Sequence, residues 1–235
     1  MSFRHMSFRR MSFRQTTTAA SIALATLLAG GSLAQAAPFE VTITNLTAGQ
    51  PVSPPLIVSH RSSIALAEAG QPASEPLAIV AEDGDPNDLA ALLETLDEVR
   101  DVVVADGPIP PGGSRSVTLE IRGSDVLSGV GMLVNSNDAF FFLDSLRVNR
   151  FRSESVAVAA WDSGSEANTE DCDDIPGPAC PAGSGNERQT EDAEGFVHVH
   201  RGIQGGSDLS PAAYDWRNPT VLITIERISG RKDDD

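Results

Sequence analysis

Val117-Thr-Leu-Glu-Ile-Arg122 and, four residues on, Val126-Leu-Ser-Gly-Val-Gly-Met-Leu-Val134 decide the class of fold. In the first stretch Val117, Leu119 and Ile121 alternate with Thr118, Glu120 and Arg122, the period-two pattern of a strand with one apolar face. The second is apolar almost throughout and carries Gly129 and Gly131, which fits a strand in the core of a sheet. Upstream, Pro108 to Gly113 reads as a turn and Val102–Val104 as a short apolar strand. Leu89, Leu92, Leu93 and Leu96 sit at helical spacing, so a helix is expected over 88–99, with Asn87 as its N-cap. Residues 62–81 are rich in Ala and Leu but broken by Gly70, Pro72 and Pro76, which favours short helical turns. Leu56–Val58 follows Pro54-Pro55 as a strand, and 39–46 alternates Val41 and Ile43 with Thr42 and Thr44.

Downstream, 140–143 (Phe-Phe-Phe-Leu) fits a strand or one helical turn, and periodicity does not choose between them. Val156 and Val158 alternate into Trp161, and 196–200 and 220–228 read as the last two strands. Between them 162–195 forms the largest loop, rich in Asp, Glu, Gly and Pro, and loops of that length are uncommon unless functional or disordered. Seven or more strands with one or two short inserted helices give an all-β expectation, an antiparallel β-sandwich.

The first residues repeat Met-Ser-Phe-Arg three times, so Met1, Met6 or Met11 is the true start. Arg4, Arg9, Arg10 and Arg14 precede an uncharged apolar run, Ala19 to Gly30, and Ala34-Gln35-Ala36 fits small-x-small cleavage. The expectation is a signal peptide over 1–36, a secreted or periplasmic product, a domain over 37–229 and an acidic tail over 230–235. The apolar run is well short of the ~20 residues of a spanning helix, so no transmembrane segment is expected.

Removing 1–36 takes the 17 basic residues to 13 against 33 acids, a net charge of −20. Such a chain does not bind nucleic acid through phosphate neutralisation, and it docks on an anionic membrane only through a bridging cation. The acidity serves solubility, and some of the acids are candidate cation ligands. The two cysteines, Cys172 and Cys180, lie close together in an exported chain, which favours a disulfide; zinc held with His198 and His200 is the alternative.

Two acidic segments stand out: 134–141 (Val-Asn-Ser-Asn-Asp-Ala-Phe-Phe) and 161–170 (Trp-Asp-Ser-Gly-Ser-Glu-Ala-Asn-Thr-Glu). Each follows a strand-like run and gathers oxygen donors at a loop, which suits a hard cation taking six to eight oxygens at about 2.3–2.6 Å. Asp83-Gly-Asp-Pro-Asn-Asp88 only partly mimics an EF-hand loop, since Asp88 stands where glycine is needed, and a turn with a helix cap explains it better. His198 and His200 lie two apart on a strand and so share one face. A transition metal, catalysis or a plain polar face all fit that spacing, the last best. There is no Gly-x-Ser-x-Gly elbow, no His-Glu-x-x-His and no phosphate-cradling glycine loop. Trp161 and Trp216 read as packing residues.

Taken in order, 39–47 (Phe-Glu-Val-Thr-Ile-Thr-Asn-Leu-Thr), 53–60 (Ser-Pro-Pro-Leu-Ile-Val-Ser-His), 129–138 (Gly-Val-Gly-Met-Leu-Val-Asn-Ser-Asn-Asp), 161–166 (Trp-Asp-Ser-Gly-Ser-Glu) and 215–219 (Asp-Trp-Arg-Asn-Pro) resemble the spondin domain. That domain occurs in F-spondin-like extracellular matrix proteins and in secreted bacterial proteins. The resemblance spans roughly 39–228. It implies a β-sandwich similar to calcium-and-phospholipid-binding domains, with one Ca²⁺ near the loop end. The family's first ligand closes a Pro-Ser-Pro-Asp segment, matched by Asp138, and the others lie in Trp-Asp-Ala-Gly-Thr-Asp, matched by Asp162 and Glu166. Here Asn-Ser-Asn replaces Pro-Ser-Pro, and Glu166 replaces an aspartate.

The functional expectation is a secreted, non-enzymatic Ca²⁺-binding module for adhesion to an extracellular or surface partner such as a polysaccharide, a lipid head group or a matrix component. The competing expectation is a secreted hydrolase using the loop carboxylates or the His198/His200 pair.

Overall fold

In the computed structural model, which describes residues 35–182 and 188–228, alternation along the sequence becomes alternation across a sheet. The signal-peptide reading of 1–36 falls almost wholly outside these residues, as does the 230–235 tail. In β1 (Ala37–Asn45) Phe39, Val41 and Ile43 are fully buried while Glu40 is exposed. β1 pairs antiparallel with β4 (Ser114–Ile121) and β10 (Val221–Arg227), and β7 (Glu154–Val158) completes a four-stranded sheet ordered β4-β1-β10-β7. Its outer face carries cross-strand hydroxyl pairs, Thr42 with Ser116 at 2.8 Å and Ser155 with Thr224 at 2.9 Å, the polar side of a sheet that faces water.

The second sheet has six strands, also antiparallel: β3 (Val99–Val104), β2 (Leu56–His60), β5 (Val126–Met132), β6 (Ala139–Arg147), β8 (Ala160–Asp162) and β9 (His198–Val199), in that spatial order. The two sheets make the expected β-sandwich. Ile57, Leu127, Phe141 and Leu143 share one apolar cluster with Phe39, Val41, Ile43 and Ile223 of the facing sheet. The alternate residues Leu56, Val58, Val130, Phe140 and Phe142 share a second cluster with Leu77, Val80 and Ala81 of α1 (Glu75–Asp83) and Leu89 and Leu93 of α2 (Asn87–Glu94). The six-stranded sheet is thus covered on both faces, which is why β5 and the start of β6 read as unbroken apolar runs. A side chain at Gly131 would collide with Phe141, so the glycine gives that ring its room.

Several boundaries differ from expectation. α2 ends at Glu94, not Val99: Thr95 Oγ1 donates to Leu92 O at 2.6 Å and Val99 already belongs to β3. Asn87 is the first helical residue rather than the cap, and its N–H donates to Asp85 Oδ1 at 2.9 Å, so the 83–88 segment is a turn and helix start. Residues 140–143 are strand. The expected strand over 196–200 shrinks to His198–Val199, and α3 (Pro211–Tyr214) is a third short helix. Cys172 and Cys180 are joined in a disulfide, which removes them as zinc ligands. Among the described residues no helix is long and apolar enough to cross a membrane.

Candidate metal centre

Ladder register creates the site. Asp138 stands just before β6 and Asp162 ends β8; Ala139 pairs with Asp162, and Ser163 N–H donates to Asp138 O at 3.3 Å. The two carboxylates therefore emerge side by side at one end of the six-stranded sheet, and both residues are fully buried. Asp138 Oδ2 accepts three hydrogen bonds, from Ser163 Oγ at 2.8 Å, Ser165 N–H at 3.0 Å and Glu166 N–H at 3.2 Å. Its other oxygen, Oδ1, is buried without any hydrogen-bond partner. Asp162 Oδ1 accepts from Gly164 N–H and its Oδ2 from Asn168 Nδ2, each at 2.8 Å. Gly164 makes this turn possible: its φ is +66°, and a Cβ there would run into the Phe196 backbone.

The loops around the pair are fastened by the asparagines that depart from the family pattern. Asn135 takes an N–H from Ala179 on Oδ1 at 2.9 Å and gives Nδ2 to Gly49 O at 2.8 Å. Asn137 Oδ1 accepts Glu170 N–H, and its Nδ2 donates to Thr169 Oγ1, both at 3.1 Å. Glu170 is buried, and its two carboxylate oxygens take the backbone N–H groups of Gln204, Gly205 and Gly206. The acidic excursion is thus tied to 134–138 on one side and to 204–206 on the other.

The pairing of β8 with β9 sets His198 opposite Asp162. His198 Nε2 lies 3.4 Å from Asp162 Oδ1, and His200 Nε2 lies 3.7 Å from Asp162 Oδ2. One ligand-capable atom from each of Asp138, Asp162 and His200 falls within 4.8 Å of the others. His200, however, accepts Gly202 N–H on Nδ1 at 2.9 Å, so its neutral ring carries the hydrogen on Nε2 and presents an N–H to the aspartates. Burial, then the neighbouring His198 and Arg201, push its pKa down to about 3, so it stays neutral. Trp216 packs on the ring, centroids 5.0 Å apart.

Burial first, and then Asp162, push the Asp138 carboxyl up to about 8. Burial also raises Asp162, against the lowering effect of Asn168 and His198. Among the described residues no Lys or Arg forms an ion pair with either aspartate. Two enclosed carboxylates with no fixed counter-charge leave two outcomes, a retained proton or a bound cation. The oxygens at hand, the two carboxylates and the hydroxyls of Ser163 and Ser165, are hard donors of the kind Ca²⁺ takes.

Of the acids matched to the family pattern, Asp138 and Asp162 come together and Glu166 stays outside their tight set. Its backbone N–H reaches Asp138, while its buried carboxylate turns to Gln189 N–H at 3.0 Å and faces Glu82 of α1. Burial, with Glu82 and Asp138 nearby, raises Glu166 to about 8. The spacing of His198 and His200 favours a plain strand face, yet His200 lies just past β9 and both rings approach Asp162; their spacing of two is the available signal. Glu194 carried no sequence signal, and Asn135, Asn137 and Asn168 were legible only as members of the two donor-rich segments. Trp161 packs edge-on against Phe142 at 6.1 Å, as a packing residue.

No protein-family model matches this chain, and no curated protein matches it significantly.

Proposed function

We propose that this chain is an exported, non-catalytic binding module of the spondin type, in which Asp138 and Asp162 hold a Ca²⁺ ion that fixes the loops at one end of the sandwich. The observation that carries the reading is Asp138 Oδ1, a carboxylate oxygen wholly enclosed, unpartnered and beside a second enclosed carboxylate. Bound there, a dication supplies charge neutralisation that no described Lys or Arg provides, and it adds stability by mass action. Glu166 stands next to the pair as a third acid. The motif order over 39–228 supports the spondin comparison. The disulfide in the acidic excursion is compatible with an oxidising compartment.

Burial also argues for a structural ion rather than one that bridges directly to a partner, since neither aspartate has a face to solvent. Partner binding to a surface polysaccharide, lipid head group or matrix component then falls to the exposed loops that the ion orders. The same burial weighs against a hydrolase using these carboxylates, because substrate has no approach to them.

The test is calorimetric titration of the chelator-treated chain with Ca²⁺, alongside Asp138→Asn. Stoichiometric binding lost in the variant supports the reading, and a wild-type chain that takes up no Ca²⁺ rejects it. Turnover of ester or glycoside substrates that Asp162→Asn abolishes would establish the hydrolase instead.

A further inference from the structure

His198 differs from His200 in which nitrogen is free. Its Nδ1 lies 3.2 Å from Val199 O. A carbonyl oxygen only accepts, so Nδ1 carries the hydrogen and the lone pair of the neutral ring sits on Nε2. Nε2 has no hydrogen-bond partner, although the atom itself is shielded from solvent. It faces two acceptors, Asp162 Oδ1 at 3.4 Å and Glu194 Oε1 at 3.8 Å. One ligand atom from each of Asp162, Glu194 and His198 lies within 4.8 Å of the other two.

Three acceptors within 4.8 Å of one another repel unless a positive charge lies between them. For a tetrahedral dication bonded at about 2.0–2.1 Å, neighbouring ligand atoms stand about 3.3–3.4 Å apart, close to the spacing of Nε2 and Asp162 Oδ1. The acids are held for the purpose: Gly164 N–H fixes Asp162 Oδ1, and Asn168 Nδ2 bonds Asp162 Oδ2 at 2.8 Å and Glu194 Oε1 at 3.3 Å. Such outer contacts orient metal ligands.

We infer that Asp162, Glu194 and His198 form a second metal site that takes a borderline transition-metal dication of the Zn²⁺ class. An imidazole nitrogen among two carboxylates selects that class over Ca²⁺ or Mg²⁺. The site differs from the enclosed pair in its access: the His198 and Glu194 side chains are 26% and 31% exposed. A cleft of about 480 Å³ lined by Asn168, Gln189, Glu191, Glu194 and Arg201 opens on the Glu194 side. Asp162 serves both sites, its Oδ1 turned to His198 and its Oδ2 toward His200. The inference does not rest on the Ca²⁺ reading, because the Zn²⁺-class donors are complete without Asp138.

The metal-free alternative is a purely structural cluster in which His198 packs between the two acids, and one experiment separates the two. The purified chain is titrated with ZnCl₂ in excess Ca²⁺, and Co²⁺ is substituted for its visible ligand-field bands. The inference expects one equivalent of Zn²⁺ at micromolar affinity, weakened at least about tenfold by His198→Ala and by Glu194→Gln. The Co²⁺ bands fade in both variants, and His198→Ala keeps its thermal response to Ca²⁺. Zn²⁺ binding weaker than about 1 mM in the wild type, or binding that His198→Ala leaves unchanged, overturns the site. A chain that binds Zn²⁺ through His198 but gains nothing from Ca²⁺ would overturn only the proposal for the enclosed pair.

Discussion

Asp138 and Asp162 are neighbours because of strand register. Asp162 pairs with Ala139, and the ladder runs one step further, through Ser163 N–H to Asp138 O at 3.3 Å. A shift of one residue in this pairing would send one carboxylate to the other face of the sheet. The acid pair is therefore as well placed as the sheet itself, and its energetics can be tested without assuming loop motion.

Asp138→Asn is expected to do two opposite things. With the amide oxygen accepting from Ser163, Ser165 and Glu166, the amide NH₂ takes the unpartnered position and donates toward Asp162. The metal-free melting temperature should rise and the response to Ca²⁺ should vanish. In the wild type, Ca²⁺ at about 100 times its Kd should add about 2.7 kcal/mol, or roughly 5–10 °C for a chain of this size. Thermal melts with and without chelator read both effects.

The pH dependence of the metal-free chain follows from the raised carboxyls. Asp138 and Glu166 titrate at about 8 in the folded state, against about 4 when unfolded. The folded chain holds those protons more tightly, so their contribution is fully present below the unfolded pKa and is lost as pH rises through the folded one. Unfolding by urea in chelator should show stability declining between about pH 4 and pH 8 more steeply in the wild type than in Asp138→Asn. Saturating Ca²⁺ should flatten the wild-type decline.

Gly164→Ala places a Cβ against the Phe196 backbone at a φ of +66°. We expect a loss of about 1–3 kcal/mol in urea unfolding. Ca²⁺ binding should weaken too, because the Gly164 N–H that orients Asp162 shifts.

Glu170→Gln removes the charge that gathers three backbone N–H groups at 204–206 and turns an amide donor toward at least one of them. About 2–3 kcal/mol should be lost. Proteolysis should then cut first within 201–208, and mass spectrometry of the early fragments checks it.

Much of this was legible in the sequence. β1, β4 and β10 announce themselves through clean alternation because one face of their sheet meets water. The central strands read only as apolar runs, since α1 and α2 cover the face that would otherwise be polar, so the helical layer itself was not deducible from their pattern. Asp138 and Asp162 could be singled out as a pair because Asp138 closes the 129–138 motif and Asp162 follows Trp161 at the end of β8. Glu194 could not, and His198 was legible only as half of a histidine pair, because it meets Asp162 through the pairing of β8 with a two-residue strand at the far end of the long excursion. The Glu166 side chain went elsewhere because the longer chain finds Gln189 N–H within reach, a choice spacing does not encode.

Glu82 closes α1, a helix inserted between two strands remote from the acid pair in sequence. It faces Ser165 and pairs with Arg188 at the far side of the excursion. The helix thus acts as a clasp on the 163–166 turn, contributing no ligand yet sharing its anchorage. Anything that firms the 163–166 turn should slow amide exchange along α1, and a substitution that unseats the helix should loosen the three hydrogen bonds that this turn gives Asp138.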